Sequence, residues 1–168
     1  MFFCYIYISH VIFKKNSYFS IYCYFFLIFF RVTYTIKISS FFKNKKGISI
    51  IGDIPIYVAL DSADTWANPE LFQLDKDLNP IAVAGCPPDS FSEDGQLWGN
   101  PLYDWEYHKY TNYKWWIKRI KYCYNLYDIV RIDHFRGFDE YFSIPYKSKT
   151  AVNGTWEKGP GIELFEQL

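Results

Sequence analysis

The chain predicts an α/β domain built on parallel strands joined through a helix, and three stretches carry that expectation. Residues 47–55, Gly47-Ile48-Ser49-Ile50-Ile51-Gly52-Asp53-Ile54-Pro55, form a short apolar run closed by turn formers, the pattern of a buried strand. Residues 103–126 place Trp105, Tyr113, Trp116, Ile117, Ile120 and Tyr124 at mixed spacings of three and four, which is helical periodicity. Residues 129–133, Ile129-Val130-Arg131-Ile132-Asp133, are a β-branched run that reads as a second strand. Strand, connection with a helix, strand is the βαβ unit, whose two strands lie parallel.

Before the first strand, residues 1–42 read unlike the rest. Phe, Tyr, Ile, Lys and Ser crowd there with almost no acid, and Tyr18 to Phe30 is nearly all aromatic or aliphatic. That run is shorter than the ~20 apolar residues of a bilayer-spanning helix. It also lacks a small-residue cleavage site, so a signal peptide fits poorly. A membrane-seeking segment and a stretch foreign to the domain are both open readings of residues 1–42, and residues 43–168 are expected to hold the domain.

In the first strand, Ser49, Ile51 and Asp53 share one face by parity. From Pro55 to Leu102 turn formers dominate: Ala67-Asn68-Pro69, Gly85-Cys86-Pro87-Pro88-Asp89 and Gly99-Asn100-Pro101. An irregular stretch of that length inside a domain is uncommon and usually functional. One amphipathic helix over 103–126 follows, with Lys114, Lys118, Arg119 and Lys121 on its wet side and Trp115-Trp116 in the core. In the second strand Arg131 and Asp133 share a face, while Val130 and Ile132 meet an apolar layer. His134 points to the other side unless the strand has ended by then. After Gly137 the chain runs through Tyr141-Phe142-Ser143-Ile144-Pro145 and an Asn153-Gly154 turn, and a helix starts at Ile162.

Composition narrows the function classes. The formal charge is zero, with 18 acidic and 18 basic residues, so nothing favours capture of nucleic acid. Cys4, Cys23, Cys86 and Cys123 show neither close pairing nor a histidine partner pattern, so a zinc site is not expected and free thiols in a reducing compartment are. At 168 residues the chain is too short for a complete eight-fold α/β barrel, which needs about 250.

The chemistry-bearing residues fall in three groups. A guanidinium at Arg131 beside Asp133 favours an ionised carboxylate, and an ionised carboxylate can act as a nucleophile; a plain ion pair at a strand end is the bland alternative. Two parallel strands ending in Asp53 and Asp133 would bring both to one rim, since function in α/β sheets collects at the carboxyl ends of strands; Asp53 as a simple turn cap is the alternative there. The loop from Ala84 to Pro101 sets prolines among Asp89, Phe91, Glu93, Asp94, Gln96, Trp98 and Asn100. Sugars bind in this manner, with aromatic faces over the pyranose and carboxylates or amides on its hydroxyls; Trp98 and Phe91 packed beneath the loop is the alternative.

Three motifs occur here in one order: Gly52-Asp53-Ile54-Pro55-Ile56-Tyr57-Val58-Ala59, then Leu97-Trp98-Gly99-Asn100-Pro101-Leu102-Tyr103, then Val130-Arg131-Ile132-Asp133-His134-Phe135-Arg136-Gly137. Together they closely resemble the 4-alpha-glucanotransferases, or amylomaltases, of glycoside hydrolase family 77, over roughly Lys43 to Leu168. The resemblance implies a partial (β/α)8 barrel of the α-amylase-like type. It implies that Asp133 is the nucleophile and Arg131 its arginine partner, that Asp53 lines the site, and that the 85–95 loop and Trp98 shape glucan subsites. Asp89, Phe91, Glu93, Trp98, Asn100 and His134 are the expected substrate contacts. The expected ligands are α-1,4-glucans, with no cofactor or metal, no nucleic acid, no membrane, and a cytoplasmic setting.

Retaining glucan transfer needs two carboxyl groups about 5 Å apart. Asp133 supplies one; in the family the acid/base glutamate, and a further aspartate with its histidine, come from later strands, beyond Leu168. Glu93, on the loop, and Glu140, past the strand end, are poor substitutes. The chain is expected to be the inactive middle of a glucanotransferase. A carbohydrate-binding remnant without chemistry is the alternative, and a small membrane-anchored protein defined by its first residues is a third.

Overall fold

A computed structural model describes residues 45–168, so the expectations for residues 1–42, and for Cys4 and Cys23, lie outside the described residues. In chain order the elements are β1 (Ile51–Pro55), α1 (Ala63–Ala67), β2 (Ala82–Cys86), β3 (Gln96–Pro101), α2 (Trp105–Tyr110), α3 (Lys114–Tyr124), β4 (Ile129–Asp133), β5 (Glu140–Pro145), β6 (Thr155–Lys158) and α4 (Ile162–Glu166). Short 3-10 turns sit at Pro69–Leu71 and Phe135–Phe138. Among the described residues no helix is long and apolar enough to cross a membrane.

β1 and β4 pair in parallel, with Ile51 opposite Ile129, Asp53 opposite Arg131 and Pro55 opposite Asp133. The βαβ reading therefore holds, and α3 is the helix that precedes β4. Parity holds as well: Ile132 packs on the main core while Arg131 and Asp133 face outward. The expected burial of the first strand does not hold throughout, because Ile51 is 62% exposed and only Gly52 is fully covered. Gly52 is covered by Tyr127, whose ring lies where a Cβ at that position would stand.

The stretch expected to be irregular contains two strands. β2 lies centrally in a four-stranded antiparallel sheet ordered β3-β2-β5-β6. Its sequence, Ala82-Val83-Ala84-Gly85-Cys86, is a run of small residues with too little bulk to register as a periodic strand, yet smallness is what lets β3 approach. A Cβ at Gly85 would collide with the Gln96 carbonyl and with Ile144.

The expected single helix is two. Asp104 caps α2 by accepting from the Tyr107 amide at 2.9 Å. The chain then reverses through Asn112 and Tyr113, both at φ +52°. The Tyr113 amide closes the end of α2 on the His108 carbonyl at 2.7 Å, a left-handed termination of the Schellman kind. Helix α3 then turns Trp116, Arg119, Ile120 and Cys123 inward. Lys114, Lys118 and Lys121 are on the wet side as expected, whereas Arg119 is 6% exposed and belongs to the interior. The main core gathers Ile56, Tyr57, Val58, Leu102, Tyr103, Trp116, Phe138 and Leu164 between the helices and the two sheets.

Candidate active site

The parallel pair is tied at both ends, which fixes what its carboxyl edge presents. At the start, the Ile50 amide donates to Asp128 Oδ2 at 2.8 Å. At the finish, the Ile56 amide donates to the Asp133 carbonyl at 3.2 Å. Between these ties the Arg131 guanidinium reaches in two directions: Nη1 donates to Asp53 Oδ2 at 2.8 Å and Nη2 to Asp133 Oδ1 at 3.0 Å. Asp53, Arg131 and Asp133 thus share one face of the pair, and the Asp133 side chain is 62% exposed to an incoming ligand.

Beside Asp133 a cleft of about 280 Å³ is lined by Pro55, Ile56, Tyr57, Trp98, Asn100, Asp133 and His134. That volume stands at the small end of the ~300–1,000 Å³ usual for small-molecule sites. Two departures from regular backbone deliver its polar and aromatic groups. In the first, the β2–β3 pairing shifts: Gly85 opposes Leu97 but Val83 opposes Pro101, so Trp98, Gly99 and Asn100 together face Ala84. Such a bulge re-aims side chains, and Gly99, at φ +79°, takes the left-handed conformation that the turn needs. In the second, β4 ends at Asp133 and His134 adopts φ +55°, which turns its ring toward the rim instead of across the sheet.

Within the cleft the Trp98 and His134 rings meet edge to face, with centroids 4.8 Å apart at 87°. Tyr57 stands about equally far from both, at 6.3 Å from Trp98 and 6.1 Å from His134. Trp98 Nε1 donates to Gln96 Oε1 at 3.0 Å, and Asn100 Nδ2 donates to the Val58 carbonyl at 2.9 Å, joining the bulge to the segment after β1. His134 Nε2 is buried and has no hydrogen-bond partner. Burial pulls the His134 pKa below its ordinary value against the pull of Asp133, so the ring is a neutral donor or acceptor at pH 7. Burial drives the Tyr57 phenol far above its ordinary pKa, so it keeps its proton. Gly137 packs against three of these lining residues: a Cβ there would stand 2.9 Å from Ile56 Cδ1, 3.2 Å from His134 and 3.3 Å from the Tyr57 hydroxyl.

Of the residues expected from sequence, Asp133, Trp98, Asn100 and His134 meet in the cleft, and Asp53 and Arg131 stand on the adjoining rim. Asp89, Phe91 and Glu93 lie on the β2–β3 connecting loop and are not part of the cleft wall. Asp89 Oδ1 is occupied by the amides of Phe91 and Ser92, both at 2.8 Å, and Phe91 is 97% exposed. Glu140 is held by Lys158 at 2.6 Å and Arg136 at 3.7 Å, which explains its lowered pKa and keeps it from serving as an acid here. Arg136 also lies over the Trp156 ring, 4.3 Å from its centroid.

Sequence reasoning missed Tyr57 and Arg119. Tyr57 follows the first strand by two residues in an apolar run and carries no spacing that separates a site tyrosine from a core one. Arg119 did carry a signal: it falls three residues after Trp116 and four before Cys123, on the buried stripe of its helix. Among the described residues no group of three His, Cys, Asp or Glu side chains is arranged to hold a metal ion.

With this geometry in hand, comparison with known proteins gives a consistent result. The model of the 4-alpha-glucanotransferase family, glycoside hydrolase family 77, matches residues 13–168. The chain is 62% identical over 128 residues to a 4-alpha-glucanotransferase of Clostridium butyricum, covering 76% of this chain and 26% of that protein. It is 54% identical over 127 residues to one from Aquifex aeolicus, with the same coverage. Among solved structures, an amylomaltase from Streptococcus agalactiae in complex with acarbose superposes with a TM-score of 0.72 at 55% identity, over 74% of this chain and 25% of that one. The chain thus spans about a quarter of the length of the relatives it matches.

Proposed function

The chain belongs to the 4-alpha-glucanotransferases of glycoside hydrolase family 77, and on that premise we propose that residues 43–168 carry the nucleophile's part of a glucan-transfer site, within a partial (β/α)8 barrel. In this reading the parallel β1–β4 pair forms two neighbouring barrel strands, and the cleft at their carboxyl ends receives a glucose unit of an α-1,4-glucan. The observation that carries the reading is the placement of an exposed carboxylate, Asp133, against a guanidinium and beside Trp98, Asn100, His134 and Tyr57 in one cleft.

The proposed chemistry is a double displacement. Arg131 engages Asp133 Oδ1, and Oδ2 attacks the anomeric carbon of the donor. The glycosidic C–O bond breaks as a general acid protonates the departing 4-oxygen. The 4-hydroxyl of an acceptor sugar then attacks the glycosyl ester and returns its proton to the same group, which restores the Asp133 carboxylate with retention at the anomeric carbon. Trp98 offers its face to the sugar, Asn100 offers hydrogen bonds to its hydroxyls, and the His134 ring packs edge to face against Trp98 and holds it at the cleft wall. We place this chemistry in the cytoplasm, a setting that suits the free thiol Cys86.

Among the described residues Asp133 is the single carboxylate in the cleft wall, so the described residues supply one of the two carboxyl groups that retention needs. Binding without transfer is therefore expected of them. The purified chain incubated with maltohexaose should quench tryptophan fluorescence saturably, and incubated with maltotriose should release neither glucose nor longer maltodextrins. Absence of binding would overturn the glucan site; disproportionation would overturn the single-carboxylate account.

A further inference from the structure

A buried cation lies directly beneath this rim, and the chemistry described above does not use it. Arg119 projects from α3 toward the end of β1. Its Nη2 donates to the Pro55 carbonyl at 2.6 Å and its Nη1 to the Ile56 carbonyl at 2.9 Å. The guanidinium carbon sits 4.9 Å from the Trp116 ring centroid and 5.3 Å from that of Trp115. The Tyr103 hydroxyl donates to the same Ile56 carbonyl at 2.7 Å and lies 3.4 Å from Arg119 Nη1. Among the described residues Arg119 pairs with no carboxylate.

A guanidinium held by two consecutive carbonyls and two indole faces is a costly arrangement if packing alone were required. Removing a charge from water without a counter-ion carries a large desolvation penalty, and an apolar side chain of similar length would fill the same space without it. What an apolar side chain lacks is the planar fork, which fixes the direction of both carbonyls at once. Those carbonyls flank the turn out of β1. The amide between them, that of Ile56, donates to the Asp133 carbonyl, and the next residue, Tyr57, forms the cleft wall.

We infer that Arg119 is a positioning residue: through the Pro55 and Ile56 carbonyls it sets the end of β1 against the end of β4, and so fixes the separation of Tyr57 from Asp133. It touches no ligand. The relay runs from the Trp115–Trp116 faces through Arg119 and the β1 backbone to the residue proposed to attack. The glucan-binding arm of the test below rests on the function proposed above; the exchange arm does not.

The test compares the whole chain with its Arg119→Met and Arg119→Lys variants, each at a temperature where circular dichroism shows it fully folded. Hydrogen exchange followed by NMR reads the Ile56 amide directly, with the amides of β2 and β5 as the internal reference. The expected result for Arg119→Met is at least tenfold faster exchange at Ile56 while the reference amides change little. Maltohexaose should bind about tenfold more weakly, and Arg119→Lys, which keeps the charge but loses the fork, should recover part of both. Should Arg119→Met fail to fold, Arg119→Lys and Tyr103→Phe carry the comparison, each with a smaller but still localised effect at Ile56. Unchanged Ile56 exchange, or exchange that rises equally at the reference amides, would overturn the positioning role in favour of plain stabilisation. Wild-type chain that binds no maltohexaose would instead remove the glucan reading and leave the exchange result standing.

Discussion

Arg131 divides its two terminal nitrogens between carboxylates on neighbouring strands, and both carboxylates remain more than half exposed. Exposure decides what this bridge does. Ion pairs in water contribute about 0–1 kcal/mol each, because solvent and salt screen them and the side chains lose rotamer freedom. Stabilising the fold is therefore not where its effect lies; holding one oxygen of Asp133 in a fixed direction is. Arg131→Gln should lower stability by less than about 1 kcal/mol in urea titrations yet weaken maltohexaose binding several-fold. A loss of several kcal/mol with binding intact would reverse that assignment. Gly137 works by the opposite means, since it supplies no group at all and serves by leaving room for His134 and the Tyr57 hydroxyl.

Helix α2 holds a histidine that the site does not use. His108 is wholly buried among Tyr103, Trp105 and Trp115, and neither ring nitrogen has a full hydrogen bond. Burial pulls its pKa from the ordinary 6.5 to about 4, with the Leu71 backbone and Asp104 offsetting only part of this. Because the folded value is the lower one, the unfolded chain takes up the proton first as pH falls. The contribution of this one group is therefore complete above pH 6.5 and is lost between 6.5 and about 4, about 3 kcal/mol at 1.36 kcal/mol per pH unit. Urea midpoints measured from pH 7.5 to 4.5 should fall accordingly, and His108→Leu should flatten the curve. An identical slope in that variant would place the effect elsewhere. The same elements show what the sequence does and does not disclose. The parallel strands were legible because Ile, Val and parity mark them, and Asp53, Arg131 and Asp133 came with them. The break between α2 and α3 was not, since Thr111-Asn112-Tyr113 contains neither Gly nor Pro and the left-handed turn is imposed by the fit of both helices to the core. Nor was β3, whose alternation is erased by the bulge at Trp98–Asn100, the very feature that brings those residues to the cleft. Arg119 looked solvated because charge usually is, and only its place on the Trp116–Cys123 stripe marked it as interior.

Taken as a whole, the described residues contain one sheet that is closed into a core and one that is not. The four-stranded antiparallel sheet buries Val83, Phe142, Ile144 and Ala151 in a cluster of its own. The parallel pair has α3 and the core behind it, but its front face is open: above stand Asp53, Arg131 and Asp133, and one rung below them stand Ile51 and Ile129, paired to each other and both more than half exposed. Each strand of this pair also has an unpaired edge among the described residues. Two strands are few for independent stability, and an apolar face beside unpaired amides and carbonyls is a template for another chain. Antiparallel edges such as β6 carry Glu157 and Lys158, which discourage pairing, whereas Ile51 and Ile129 do not. The chain should therefore self-associate as its concentration rises, through β1 and β4 and not through the larger sheet. Sedimentation velocity over a hundredfold concentration range would register this as a growing fast fraction. The double variant Ile51→Thr/Ile129→Thr keeps β-branched residues suited to a strand while removing the apolar pair, and should restore a monomer with its maltohexaose affinity intact, since Asp133 and the cleft lie beyond the altered rung. A wild-type chain that stays monomeric throughout, or an association that Ile51→Thr/Ile129→Thr leaves untouched, would show that the open face is covered by something other than a second strand.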